Sequence, residues 1–387
     1  MSTTSLVEQQ QQQQQQQEPG FVKLELRTAY GPVYRNVSTN PPRDARPDEI
    51  PLIDLSPISG DFEARKALAQ TIKHAAENTG FFYIRNHGIP ESTVDAALNA
   101  AKTFFAQPED KKMLVSKSLG KWYNGYSGKM TAMASPTEGL DYRESFSWRY
   151  EPQYDPDPKD PDAVPPEVQP YIRGENYVWE GTDHLPGFKR DCIAYWQECL
   201  KLARRLVRIF ALCLDLPEDY FDAVTTYPGS DGVFNYYPPT MSSAEKKDAV
   251  ESQDVGLGSH TDLQCFTLLW QDMNGGLQVL GRDGQWIKAT PVKGTFVVNI
   301  GDYLMRLTND RMKSTVHRVY NRSTIDRYSM PFFFGFNFNE KCGVLPSCVD
   351  EDNPPKYEPI SCGDWCQLRF QQGDMDKDKD KKVAAVY

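Results

Sequence analysis

His260-Thr261-Asp262, followed by Cys265-Phe266-Thr267-Leu268-Leu269-Trp270, is the stretch on which the fold turns. The second run is short, apolar and strand-like. Residues i and i+2 of a strand or strand end point to the same face. His260 and Asp262 can therefore address one metal ion from one side. A third ligand, His317, has to come from a distant strand folded back beside the first. Two imidazoles and one carboxylate on one face of an ion leave coordination positions open, a donor set suited to Fe(II) and O2. Beyond His317, Arg327-Tyr328-Ser329 repeats the i, i+2 spacing, so a guanidinium and a hydroxyl share a face. The planar fork of arginine grips a carboxylate bidentately. A lone His-x-Asp arises by chance about one time in ten to twenty. The reading rests on the joint pattern, in a chain with only five histidines.

Working outward, the region after about Gly232 holds short β-rich runs separated by Asn274-Gly275-Gly276, Arg282-Asp283-Gly284 and Gly301-Asp302. Such spacing predicts a double-sheet jelly roll, with a hairpin over Gly275–Val279 and Gly284–Ile287. Upstream, Ile50 to Leu55 alternates like a strand. A helix is expected over Phe62–Asn78, with Ala64, Leu68, Ile72 and Ala75 on one face. Gly80–Ile84 reads as a buried strand closed by the turn Asn86-His87-Gly88, where His87 has a structural role. Further helices are expected over Glu91–Phe105 and Gly187–Leu214. Pro152 to Pro170 reads as a long surface loop, either covering a pocket or connecting elements. The expected fold class is mainly β with flanking helices: a jelly-roll (double-stranded β-helix) core plus an α-rich N-terminal region. Residues 1–48, with the Gln9–Gln17 tract, are expected to be a disordered or extended tail. Residues 49–230 would form the α-rich region with a long backbone helix, 231–370 the catalytic core, and 371–387 a charged mobile tail.

The formal charge of −10 over 387 residues speaks against a nucleic-acid or anionic-membrane partner. The sequence has no apolar run of membrane-spanning length and no secretory leader, so a cytoplasmic location is expected. Eight cysteines occur with no C-x-x-C pair. Cys342, Cys348, Cys362 and Cys366 are read as reduced thiols rather than a zinc site. His74 and His184 have no partner motif.

Taken with Ile50-Pro51-Leu52-Ile53-Asp54-Leu55, Asn86-His87-Gly88-Ile89-Pro90, Asn235-Tyr236-Tyr237-Pro238 and Asn299-Ile300-Gly301-Asp302, these residues carry a resemblance. The chain resembles the 2-oxoglutarate/Fe(II)-dependent oxygenases of the isopenicillin N synthase-like superfamily from roughly Glu49 to Cys366. The resemblance implies a distorted jelly roll with helices packed outside, Fe(II) on His260, Asp262 and His317, and 2-oxoglutarate (2OG) as cosubstrate. It implies that the far carboxylate of 2OG meets Arg327 and Ser329, and that Asn235 and Tyr237 line the cosubstrate site. O2 is the oxidant, with ascorbate supportive. Continuing by twos from Ser329 makes Phe333 a wall of the substrate pocket, with Phe332, Phe334 and Phe336 behind the sheet. Gly335 either opens space for a bulky substrate or marks a kink. The function implied is hydroxylation, desaturation or cyclisation of a small organic molecule, with specialised metabolism as the setting. Neither a nucleic acid nor a membrane is an expected partner, and a monomer or weak homodimer is expected. Three alternatives stay open: a same-superfamily oxidase that does not consume 2OG, an ethylene-forming variant, and a non-catalytic or zinc-binding jelly roll.

Overall fold

The computed structural model describes residues 20–28, 30–157, 159–240, 255–321 and 323–369. The glutamine tract and the charged C-terminal run lie outside the described residues. In chain order the strands are β1 (Phe21–Thr28), β2 (Gly31–Ser38), β3 (Arg43–Asp44), β4 (Leu52–Asp54), β5 (Phe81–Arg85), β6 (Gly125–Ser127), β7 (Glu144–Trp148), β8 (Pro228–Tyr237) and β9 (Leu257–His260). They continue as β10 (Phe266–Gln271), β11 (Leu277–Leu280), β12 (Trp286–Lys288), β13 (Phe296–Ile300), β14 (His317–Val319), β15 (Arg327–Asn337), β16 (Lys341–Cys342) and β17 (Ile360–Ser361). Eight form a major sheet in the order β4-β5-β13-β10-β15-β8-β7-β6, and five a minor sheet in the order β3-β12-β11-β14-β9. Neighbours distant in sequence are what the crossovers of a jelly roll produce. This is the expected strand-rich core.

Alternation along the strands builds two apolar layers. Phe81, Tyr83 and Val297 of the major sheet face Leu277, Val279, Ile287 and Val319 of the minor sheet and fill the space between them. The opposite face of the major sheet, with Phe82, Phe234, Phe266, Leu268, Phe332 and Phe334, is buried under helices. These strands are apolar on both faces because both faces are covered.

The helices are α1 (Phe62–Asn78), α2 (Glu91–Phe105), α3 (Glu109–Met113), α4 (Tyr177–Glu180), α5 (Phe188–Cys213) and α6 (Asp302–Leu307). Asp61 caps α1 by accepting from the Ala64 amide at 2.9 Å. The chain leaves α1 through Gly80, whose φ is +71° and whose hypothetical Cβ would lie 1.8 Å from the Lys313 carbonyl oxygen. Only glycine fits there. The apolar stripe of α5, including Trp196, Leu200, Ala203, Val207 and Phe210, packs into the helical layer with α1 and α2. The Pro-rich loop is tied onto this helix: buried Asp155 accepts from both terminal nitrogens of Arg204 at 2.7 Å. No described helix is long and apolar enough to cross a membrane.

One expectation is corrected. Ordered structure does not start near Glu49, because β1 and β2 form a hairpin paired from Phe21↔Ser38 to Thr28↔Gly31. Leu24 and Leu26, two apart on one face, pack with Val37 against Trp286 and Val316. The outer face of the minor sheet carries apolar side chains of its own, and the hairpin removes them from water.

Candidate active site

The two metal-site histidines lie on adjacent antiparallel strands. His260 ends β9, His317 begins β14, and the two are register partners with ring centroids 4.3 Å apart. Asp262 follows two residues beyond β9. Its Oδ1 lies 3.7 Å from Nε2 of each histidine. Metal–ligand bonds of about 2.0–2.2 Å bridge such a gap. Among the described residues this is the one His/Cys/Asp/Glu group close enough to hold an ion. All eight cysteines are free thiols.

Each ligand is oriented from behind. The Nδ1–H of His260 donates to the Gly258 carbonyl at 2.8 Å, and that of His317 to the Thr315 carbonyl at 3.1 Å. These bonds fix the tautomer and leave Nε2 lone pairs for the metal. Asp262 Oδ2 accepts from the Thr267 hydroxyl at 2.5 Å and the Asn299 amide at 2.7 Å, which leaves Oδ1 for the ion. Burial, and then His317, hold the His260 imidazole below its ordinary pKa, so it stays neutral. Burial pushes the Asp262 carboxyl up, but the two histidines and the two donors outweigh it and keep the group ionised. Metal ligands need these protonation states.

The sequence offered no sign of Glu138, although this residue ties the two histidine strands together. Its Oε2 accepts from the Ser259 amide at 2.6 Å, one residue before His260. Its Oε1 accepts from Arg318 Nη1 at 2.9 Å, one residue after His317. Asp141, on the same loop, accepts from the Gly258 amide at 3.0 Å.

The cosubstrate candidates gather where β8, β15 and β10 meet. Arg327 pairs with Tyr237, and Ser329 with Asn235 on one side and Gln271 on the other. Arg327 is fully buried, with its guanidinium 4.7 Å from the Tyr237 ring centroid. Nε donates to the Gly275 carbonyl and Nη2 to Gln271 Oε1, but Nη1 is buried without an acceptor. A buried unsatisfied guanidinium nitrogen is costly and calls for an anionic oxygen. Ser329 Oγ accepts from Asn235 Nδ2 at 3.5 Å, and so keeps its own hydrogen for a ligand. Asn235 in turn accepts from Arg143, a neighbour that pattern reading did not assign to the site. The donors present thus fit a carboxylate of 2OG.

Phe333 pairs with Thr267 and stays partly exposed, facing the metal side. Phe332, Phe334 and Phe336 are buried behind the sheet. Gly335 does not open a void. A Cβ there would lie 2.8 Å from Cys362 Sγ and 2.9 Å from Gln264 Oε1, so protein already fills the space. His87 accepts from the Ile89 amide at 3.2 Å, a turn contact. An open cleft of about 600 Å³ beside the start of α5 contains none of these site residues.

Residues 50–170 match the model of the N-terminal region of non-haem dioxygenases in morphine synthesis, and residues 230–336 that of the 2OG-Fe(II) oxygenase superfamily. The 2-oxoglutarate-Fe(II) type oxidoreductase ppzC of Metarhizium majus is 48% identical over 355 residues, covering 91% of this chain and 95% of its own. Kihadalactone A synthase of Citrus sinensis is 32% identical over 346 residues, covering 87% of this chain and 97% of its own. The crystal structure of a full-length Neurospora crassa protein in complex with alpha-KG and thymine superposes with a TM-score of 0.68 at 29% identity, covering 86% of this chain and 99% of that one. With relatives this similar along most of its length, the chain belongs to the 2OG-Fe(II) oxygenase superfamily, as an oxidoreductase working with Fe(II) and 2OG.

Proposed function

We propose that this oxygenase hydroxylates, desaturates or cyclises a small organic molecule of specialised metabolism, holding 2OG through Arg327 and Ser329. The buried, acceptor-less Nη1 of Arg327 beside the triad is the observation that carries the cosubstrate assignment. The similarity to a kihadalactone A synthase supports the metabolic setting. The enzyme would be cytoplasmic and a monomer or weak homodimer, its net charge of −10 opposing strong self-association.

Bound Fe(II) would let O2 act as a four-electron oxidant, two electrons coming from 2OG as it becomes succinate and CO2 and two from a substrate C–H bond. The rest falls to the chain. His260 and His317 present Nε2, and Asp262 presents Oδ1, from one side, which keeps positions open on the other. Arg327 Nη1 and the Ser329 hydroxyl donate to the far carboxylate. Tyr237 lies against the guanidinium, and Asn235 holds Ser329 and Arg143 in line. The apolar layer of Leu277, Val279 and Val319 keeps water away from that end.

The test incubates the enzyme with Fe(II), ascorbate, 2OG and a small-molecule library. A product that gains one oxygen atom or loses two hydrogens is sought, together with labelled CO2 from carboxyl-labelled 2OG. Both signals should vanish in His260→Ala, Asp262→Ala and His317→Ala. Oxidation that persists with 2OG omitted would overturn the cosubstrate reading in favour of a 2OG-independent oxidase. Ethylene in the headspace would indicate the self-consuming variant.

A further inference from the structure

The inner face of the major sheet is unevenly filled. On β7, β8 and β15 the outward residues Phe146, Trp148, Phe234 and Phe332 are buried against the helices. The inward residues Ser145, Val233 and Phe333 keep partial exposure. These residues on adjacent strands therefore keep accessible surface on the metal side. Phe333 pairs with Thr267, the donor to Asp262, and on its other side with Asp231. Directly paired residues of an antiparallel sheet share a face, so Thr267, Phe333 and Asp231 form one row. With strands about 4.8 Å apart, the row spans roughly 10 Å.

Arg149, just past the end of β7, closes that row. Its Nε lies 3.6 Å from Asp231 Oδ1 and is buried with no hydrogen-bond acceptor. Asp231 is already engaged, because Oδ1 accepts from Arg173 Nη2 at 2.9 Å and Oδ2 from Gln264 Nε2 at 3.0 Å. Two guanidiniums share one carboxylate. Glu175, the other carboxylate bearing on Arg149, accepts instead from the Lys121 and Trp122 amides and from Asn124. Burial lowers the Arg149 pKa by more than Asp231 restores. The group is an under-neutralised cation in a site shielded from water, and such a charge is stabilised by an arriving anion.

We propose that Arg149 receives a carboxylate of the substrate, so that the enzyme acts on small carboxylic acids whose oxidised carbon lies over Phe333, a few bonds from the acid group. The proposal rests on the oxygenase reading, since the triad sets where oxidation occurs and Arg149 sets the anchor. Arg327 does not serve this acid group. It lies six residues along β15 from Phe333, roughly 20 Å of extended strand. The two arginines thus address different carboxylates, that of the cosubstrate and that of the substrate.

The test uses the full chain loaded with Mn(II) and 2OG, titrated calorimetrically. The probes are benzoate, phenylacetate, cinnamate, hexanoate and the common α-amino acids, each beside its methyl ester. One or more acids should bind about tenfold or more tightly than the ester. Arg149→Gln should erase that preference, Arg149→Lys should keep part of it, and neither should change 2OG affinity. If no acid binds better than its ester, the proposal is overturned, and a neutral carbonyl compound becomes the better class. It is equally overturned if Arg149→Gln, shown to be folded by unchanged 2OG affinity, retains the preference. Should Arg149→Gln fail to fold, the wild-type comparison and Arg149→Lys decide. Failure of the wild-type protein to bind 2OG at all would strike the oxygenase reading instead, so the two failures are distinguishable.

Discussion

Replacing Arg327 with leucine should cripple 2OG binding and leave metal binding intact. In the protein without ligand, Nη1 sits buried and unsatisfied, a state that costs about 1–3 kcal/mol. A bound carboxylate removes that cost and gains an ion pair. Truncating one partner of a buried charge pair costs about 2–5 kcal/mol, which corresponds to roughly 30- to 4,000-fold in Kd. Leucine also strips the Gly275 carbonyl and Gln271 of their donor, so some loss of stability accompanies the effect. Arg327→Lys should fall between leucine and wild type. It keeps the charge but cannot serve Gly275, Gln271 and the ligand at once. The assay is calorimetric titration of 2OG into Mn(II)-loaded protein, with Mn(II) affinity as the internal control. A 2OG Kd in Arg327→Leu within about threefold of wild type, the range of an uninvolved substitution, would refute the reasoning.

Thr267→Val removes one of two donors to Asp262 while keeping the shape, and should weaken Mn(II) binding about 10–100-fold; an unchanged Mn(II) Kd would show that Asn299 alone orients the carboxylate. Glu138→Ala should lower both stability, by about 1–3 kcal/mol in urea unfolding, and metal affinity, because it unpairs Arg318 and frees the strand carrying His260. Wild-type values for both would remove Glu138 from the site's support. For pH, burial pushes the Asp155 carboxyl up, but Arg204 and its other donors pull it down to about 2, below its unfolded value near 3.9. Its contribution, on the order of 1–2 kcal/mol after allowance for the partly exposed Arg204, is therefore full above about pH 4 and lost as pH falls toward 2. Asp155→Asn should flatten thermal stability across that window, and an unaltered slope would contradict the sign.

Much of the site was legible because period-2 spacing converts adjacent letters into a shared face. His260 with Asp262, Arg327 with Ser329, and Asn235 with Tyr237 all use it, and the strand pairing brings the last two pairs side by side. The fold followed from the same alternation and from the helix stops around Gly80 and Pro108. What escaped was of two kinds. The hairpin over Phe21–Ser38 alternates as well, Leu24 and Leu26 standing between Lys23, Glu25 and Arg27, but two strands on their own do not reveal the face they cover until Trp286 is there to receive them. Glu138 lies 121 residues from Ser259 and 180 from Arg318, and no local pattern announces a carboxylate that works only across such separations. Of the two readings of Gly335, packing removes the open space, because Gln264 and Cys362 already stand in front of it, while the register shift between Phe334 and Asn337 agrees with the kink.

The histidines take their orientation from main-chain oxygens two residues upstream on their own segments, not from any side chain. Substitution can change a side chain but cannot delete a carbonyl. The ring tautomer and tilt of both imidazoles therefore need no side-chain partner, although the strands that carry them are held by Glu138. Inheritance of the iron centre and diversification of the cavity walls become separable, and a lineage can exchange one substrate for another without rebuilding its catalyst.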